Sequence, residues 1–134
     1  MKESIHFPKV TDIVVAIVRD KDDPLDPEWN VYLLNLKKEP IEKVLVSSKG
    51  YGTAEGRKLE TTELRHYFEN IGPQSYVKIE PIMEDVFKLT NQYWVSFFLN
   101  NEMHDKKYVF VPDSIDEKNF TDIPFMDARG VMIR

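Results

Sequence analysis

Apolar residues along this chain fall into short blocks separated by polar residues, proline and glycine, which is the pattern of β-strands. The run Ile13–Val18 is apolar at every position and rich in β-branched residues, so it predicts a central strand covered on both faces. Residues 29–36 and 41–48 are predicted to be the next two strands. Because only short connections join these three segments, we expect an antiparallel meander.

The second half of the chain contains the strongest strand signal. Residues 92–99 and 102–111 are rich in aromatic and β-branched side chains, and Asn100-Asn101 between them suits a two-residue hairpin turn with positive φ. The predicted register places Tyr93 and Tyr108 on the same face of this hairpin. Both faces are apolar, so the pattern leaves open which one is buried.

Residues 60–71 fit two structures. Leu64, Tyr67 and Phe68 recur at helical spacing before a Gly-Pro pair, which favours a short helix. The alternation of residues 62–68 is the pattern of a strand, which remains the alternative. A second short helix is predicted to start near Ser114, where the spacing resembles a capping box.

Six or seven strands at spacings of about ten residues, with one or two short helical pieces, predict a mainly β single domain over residues 1–134. The preferred architecture is an antiparallel, immunoglobulin-like β-sandwich. The alternative is an α+β fold with one helix on an antiparallel sheet. Residues 1–9 are expected to form an N-terminal arm. The tail 121–134 has too many apolar residues for a solvated terminus, so we expect it to pack on the body or on a partner.

Composition narrows the class of protein. The chain has no cysteine, which excludes disulfides, thiolate nucleophiles and sulfur-ligated zinc, and favours a reducing compartment. Neither a signal-peptide segment near residue 1 nor an apolar run long enough for a membrane span is present, so a cytoplasmic protein is expected. The net charge is -5 and the cations are scattered, which argues against binding nucleic acid.

Three segments contain candidate site residues. The acidic connection 20–28 does not match the pattern of a helix-loop-helix calcium site. Leu25 stands where that pattern requires glycine, and Val31 stands where it requires the bidentate glutamate. The glycine-rich loop 50–56 has neither dinucleotide-binding nor phosphate-loop spacing, so a mobile hairpin or crossover is expected.

The pair Arg65-His66 could hold an anion, since guanidinium groups bind carboxylates well, although an outward-facing pair on an amphipathic element is the preferred interpretation. No catalytic, cofactor-binding or metal-ligating residue is predicted. The residues retained as candidates for contact with a ligand or partner are Arg57, Arg65 and His66.

Six segments together resemble a family of small, single-domain, uncharacterised bacterial proteins, and the resemblance covers nearly the whole chain. These segments are WNVYL (29–33), SKGYG (48–52), LRH (64–66), KIEPI (78–82), YWVSF (93–97) and YVFVP (108–112). The resemblance implies a bacterial cytoplasmic protein and assigns no site.

Two functional hypotheses follow. The first, favoured by the lack of any catalytic motif, is a non-catalytic cytoplasmic interaction module that binds a protein partner or a second copy of itself. The alternative is a small ligand-binding protein or enzyme that uses loop 50–56 and Arg65-His66. No cofactor, nucleic acid or membrane is expected as a partner.

Overall fold

The apolar blocks of the sequence form β-strands in the computed structural model, which describes residues 8–134. The strands are β1 (Ile13–Lys21), β2 (Glu28–Asn35), β3 (Ile41–Ala54), β4 (Arg57–Glu60), β5 (Leu64–Ile71), β6 (Ser75–Pro81), β7 (Thr90–Leu99), β8 (Glu102–Phe110), β9 (Thr121–Asp122) and β10 (Arg129–Ile133). Short 3-10 turns lie at Glu84–Val86 and Glu117–Asn119. The predicted arm 1–9 falls mostly outside the described residues.

The strands form two five-stranded antiparallel sheets that pack against each other. Sheet A has the order β6-β2-β1-β10-β9. In sheet B, β4 and β5 both pair with one side of β3, and β7 and β8 follow on its other side. The prediction of a mainly β antiparallel sandwich is confirmed. The α+β alternative is wrong, because no α-helix occurs within residues 8–134.

The predicted meander is correct for its first hairpin only. Strand β1 pairs with β2, but β3 lies in sheet B. The buried Asn35 side chain explains where the chain leaves sheet A. Its Nδ2 donates to the carbonyl oxygens of Glu39 and Gly72 at 2.8 and 3.0 Å, which ties the β2–β3 crossing to the β5–β6 crossing. These hydrogen bonds join the two crossings through the buried Asn35 amide, and so stabilise a change of sheet at this point.

Residues 64–71 form strand β5, so the helical interpretation of 60–71 is wrong. The segment pairs with β3 from Ile71 opposite Ile41 to Leu64 opposite Ser48. Leu64 and Tyr67, whose spacing suggested one helical face, are both exposed to solvent. The backbone groups of this segment are satisfied by β3 instead of by a helix, a choice that local spacing does not reveal.

Local turns follow the predicted chemistry in two places. Asn100 and Asn101 have φ values of 51° and 63°, which confirms the predicted hairpin, and its buried face is the one with Tyr93 and Tyr108. In the glycine-rich loop, residues up to 54 belong to β3 and only Glu55 and Gly56 form the turn.

The second predicted helix is a single 3-10 turn. It is capped by Asp116, whose carboxylate accepts from the Lys118 amide, and not by Ser114.

The centre of sheet A is covered on both of its faces. The run Ile13–Val18 is completely buried and lies in the central strand β1, as its composition predicted. One face of β1 meets sheet B, and the other face packs under the C-terminal segment, where Ile123, Met126 and Ala128 cover Val14 and its neighbours. Strand β10 then pairs with β1. No helix within the described residues is long and apolar enough to cross a membrane.

Candidate functional site

Four polar side chains meet between the two sheets and form what we call the inter-sheet cluster: Ser48, His66, Glu80 and Tyr93. Glu80 lies on β6 at the edge of sheet A, and the other three lie on β3, β5 and β7 of sheet B. The Glu80 Oε1 atom accepts from Ser48 Oγ and contacts His66 Nε2, each at 2.7 Å. A single carboxylate therefore joins the two sheets at this edge.

The hydrogen bonds of the cluster differ from those of a hydrolase relay. In a relay the imidazole lies between the hydroxyl and the carboxylate, so that it can remove the hydroxyl proton. Here Ser48 and His66 both contact the same oxygen of Glu80. No hydrogen bond joins Ser48 to His66 within residues 8–134. This geometry links the two sheets and lacks the hydroxyl–imidazole contact of a relay.

Tyr93 completes the cluster as a protonated phenol. Burial raises its pKa well above the ordinary value of 10.0, and the neighbouring Glu80 carboxylate raises it further. The hydroxyl group therefore stays protonated throughout the physiological range. In the register of sheet B, Tyr93 is the direct partner of Ser48, which fixes both side chains on the inner face.

A cavity of about 250 Å³ opens to solvent beside this cluster. Its polar side includes Ser48, Glu80 and Tyr93, while Leu64 and Met83 lie exposed on its apolar side. The cavity is slightly smaller than typical small-molecule pockets, which have volumes of roughly 300–1,000 Å³. Its chemistry suits a small group that donates hydrogen bonds to a carboxylate.

The three residues proposed from sequence do not converge. His66 points inward and belongs to the inter-sheet cluster. Arg65 points outward, with a side chain that is 70% exposed and lies 3.9 Å from Glu63. Successive residues of a strand face opposite sides of the sheet, so the pair does not form one anion site. Arg57 is exposed on β4. Glu80 was missed because its partners come from another sheet.

The acidic connection 20–28 uses its carboxylates within the protein. Asp20 Oδ2 accepts from Asn30 Nδ2 and from Tyr32 Oη, each at 2.7 Å, and Asp26 lies 3.0 Å from Lys21 Nζ. Among the residues that the structure describes, no group of three or more acidic or histidine side chains is arranged to hold a metal ion.

The outer surface of sheet B, which we call the open face, carries large apolar side chains in contact with solvent. They come from β3, β5, β7 and β8, and are Leu45 (42% exposed), Tyr67 (56%), Trp94 (45%), Phe98 (36%) and Met103 (40%). On the outer surface of sheet A, in contrast, the C-terminal segment covers β1 and β2, and Tyr76 at the β6 edge is exposed. Trp94 and Phe98 share one face of β7, and this face is in solvent because the opposite face, with Tyr93, is buried between the sheets.

Polar groups hold the aromatic rings of the open face in place. Trp94 Nε1 donates to Asp105, and Tyr67 Oη donates to Glu69. Lys107 Nζ lies 5.7 Å from the centre of the Trp94 ring, and this cation–π contact attracts the ammonium group to the face of the ring. These contacts orient the rings before any partner binds.

Comparison with known proteins adds no family: no family model and no curated protein matches this chain.

Proposed function

We propose that the protein is a non-catalytic interaction module of the bacterial cytoplasm, and that its open face binds another protein. The observation that carries this proposal is the contrast between the two outer surfaces of the sandwich. The chain covers the outer surface of β1 and β2 in sheet A with its own C-terminal segment and leaves Tyr76 exposed at the β6 edge, whereas it leaves five large apolar side chains in solvent across sheet B. Soluble monomers rarely expose a large continuous apolar surface.

The composition of the open face also supports binding to a protein. Protein interfaces are enriched in aromatic residues, methionine and arginine, and alanine scanning finds most of the binding energy at tryptophan, tyrosine and arginine. The open face contains Trp94, Tyr67 and Arg65 within one patch. Since Trp94 and Tyr67 are already held by neighbouring carboxylates, their immobilisation on binding costs little side-chain entropy.

Site-specific photo-crosslinking in living cells tests the proposal. A benzophenone side chain replaces Leu45, at the centre of the open face, and a matched variant carries it in place of Leu25, which is 95% exposed on the β1–β2 connection. We expect a discrete protein adduct from position 45 that disappears with Trp94→Ser, and no such adduct from position 25. Absence of an adduct at position 45, or the same adducts at both positions, would refute the proposal.

A second candidate function is binding of a small ligand in the cavity beside Glu80. The observation in its favour is a cavity of mixed polar and apolar lining in which Glu80 is the one carboxylate and Lys49 the one cation. That carboxylate selects an ammonium or another donor group. Calorimetric titration with simple alkylamines tests this function, and binding that is lost in Glu80→Gln but kept in Trp94→Ser would assign it to the cavity and not to the open face.

A further inference from the structure

The charges on the open face indicate what binds there. Around the apolar centre, cations and carboxylates occur in equal number: Lys43, Arg65 and Lys107 against Glu42, Glu69 and Asp105. The whole chain has a net charge of -5, so two copies repel each other in most orientations. On the open face the charges balance, so two copies repel each other little when their open faces meet.

The register of sheet B supplies a second argument. Tyr67, Leu45 and Ser96 lie side by side across β5, β3 and β7, and form one row that we call the central row. Arg65 and Glu69 lie on β5 two residues to either side of this row. A two-fold axis along the central row exchanges these two sides, and so places Arg65 of one copy against Glu69 of the other, twice in the dimer.

The same axis matches the aromatic side chains. Trp94 and Phe98 lie on β7 two residues to either side of Ser96, so each Trp94 meets the Phe98 of the second copy. On β8 the pair Lys107 and Met103 is exchanged in the same way. One like-charged contact results, between the two Asp105 side chains on the edge strand. Each of these carboxylates accepts hydrogen bonds from Trp94 and Ser96, which favour its ionised form, so this one contact opposes the dimer.

We infer that the protein forms a symmetric dimer through its open face, with Arg65–Glu69 ion pairs and Trp94–Phe98 contacts across a two-fold axis along the central row. The inference rests on the proposed function and names its partner as a second copy of this chain. A face-to-face contact of two sheets with aligned strands is a common way to pack β-structure, and a two-fold dimer uses one self-complementary surface.

The size of the surface indicates a weak, reversible dimer. Strands about 4.8 Å apart and residues about 3.3 Å apart give the open face sides of roughly 20 Å, or about 400 Å² per copy. The two copies together then bury about 800 Å², which is less than stable interfaces bury and is typical of transient association. We therefore expect a concentration-dependent equilibrium between monomer and dimer.

Analytical ultracentrifugation from micromolar to millimolar protein tests the inference, with charge reversals as the variants. Arg65→Glu and Glu69→Arg each set like charges against each other, and each should give a monomer at concentrations where the wild type is a dimer. The double variant restores both ion pairs and should restore the dimer. Lys118→Glu is the control, because it changes the net charge as Arg65→Glu does, at an exposed position on the turn before β9. Circular dichroism confirms that each variant is folded.

Three results would overturn the inference. A wild-type monomer at all concentrations excludes the dimer, and dimers in both single reversals exclude the two-fold arrangement. Monomeric double variants beside monomeric single variants exclude the Arg65–Glu69 pairing. If the wild type is a monomer but position 45 still crosslinks to a different protein, the dimer is excluded and the proposed interaction module stands. If the wild type is a monomer and position 45 gives no adduct, both the dimer and the proposed function are excluded.

Discussion

Gly130 is the position where a single added methyl group should most clearly separate the C-terminal strand from the body. It is buried on β10, opposite Val18 of β1. A Cβ atom at this position would lie 2.2 Å from the Ile17 carbonyl oxygen and 2.9 Å from Val18 Cα. Both obstacles are backbone atoms of the central strand, so they cannot rotate away as a side chain would. Gly130→Ala therefore forces β10 away from β1.

The expected cost follows from the contacts at risk. Overpacking of a filled interior costs typically about 1–3 kcal/mol. Four residue pairs join β10 to β1, from Val15–Ile133 to Val18–Gly130, and each backbone hydrogen bond is worth about 1 kcal/mol net. We expect Gly130→Ala to lower the free energy of unfolding by about 3 kcal/mol. Where the backbone is free to accept it, the same change stabilises a protein by about 0.4–1 kcal/mol.

Urea denaturation followed by circular dichroism measures this change, because the unfolding free energy falls linearly with denaturant. Gly72→Ala is the matched control, since the nearest atom to its Cβ is Ser75 Oγ at 3.6 Å, an ordinary contact. Hydrogen exchange of the amides in β10 should accelerate in Gly130→Ala alone. A loss below about 1 kcal/mol, or equal effects at the two glycines, would contradict the clash on which this prediction depends.

Three further predictions concern the inter-sheet cluster, the tyrosines and the acidic connection. Glu80→Ala should lower the unfolding free energy by about 3 kcal/mol, because hydrogen bonds to a charged group are worth about 1.5–3 kcal/mol each. The control is Glu60→Ala, which removes an exposed partner of Lys49 and should cost less than about 1 kcal/mol. Equal losses of stability in urea denaturation would contradict a stabilising role of the inter-sheet cluster. Burial raises the pKa of Tyr93 and of Tyr108 above 10.0, so their contribution to stability is complete below pH 10 and is lost as the pH rises toward the folded-state values. Absorbance at 295 nm should then rise in two steps, the second together with unfolding, and a single step in the folded protein would contradict this. Millimolar calcium should leave Tm unchanged, because carboxylates of connection 20–28 already have partners in the protein. Specific binding of calcium to the folded state would raise Tm, so a clear upward shift would reveal a calcium site.

The sequence determined those features that depend on neighbouring residues. Alternation with a period of two produced the strands of the 92–111 hairpin, and paired asparagines, which tolerate positive φ, produced its turn. A run of β-branched residues without a polar face produced the fully buried β1. Each of these outcomes follows from side-chain direction or backbone preference within a few residues, so no distant contact was needed to predict it.

Tertiary structure decided every feature that required a distant partner. Residues 64–71 fit a helix or a strand locally, and pairing with β3 selected the strand because β3 satisfies the backbone groups on one side of the segment from Leu64 to Ile71. Glu80 became the centre of a polar cluster only when the edge of sheet A met the inner face of sheet B. The open face is exposed for the same reason: the C-terminal segment could cover one outer surface of the sandwich, and its pairing with β1 placed it on sheet A.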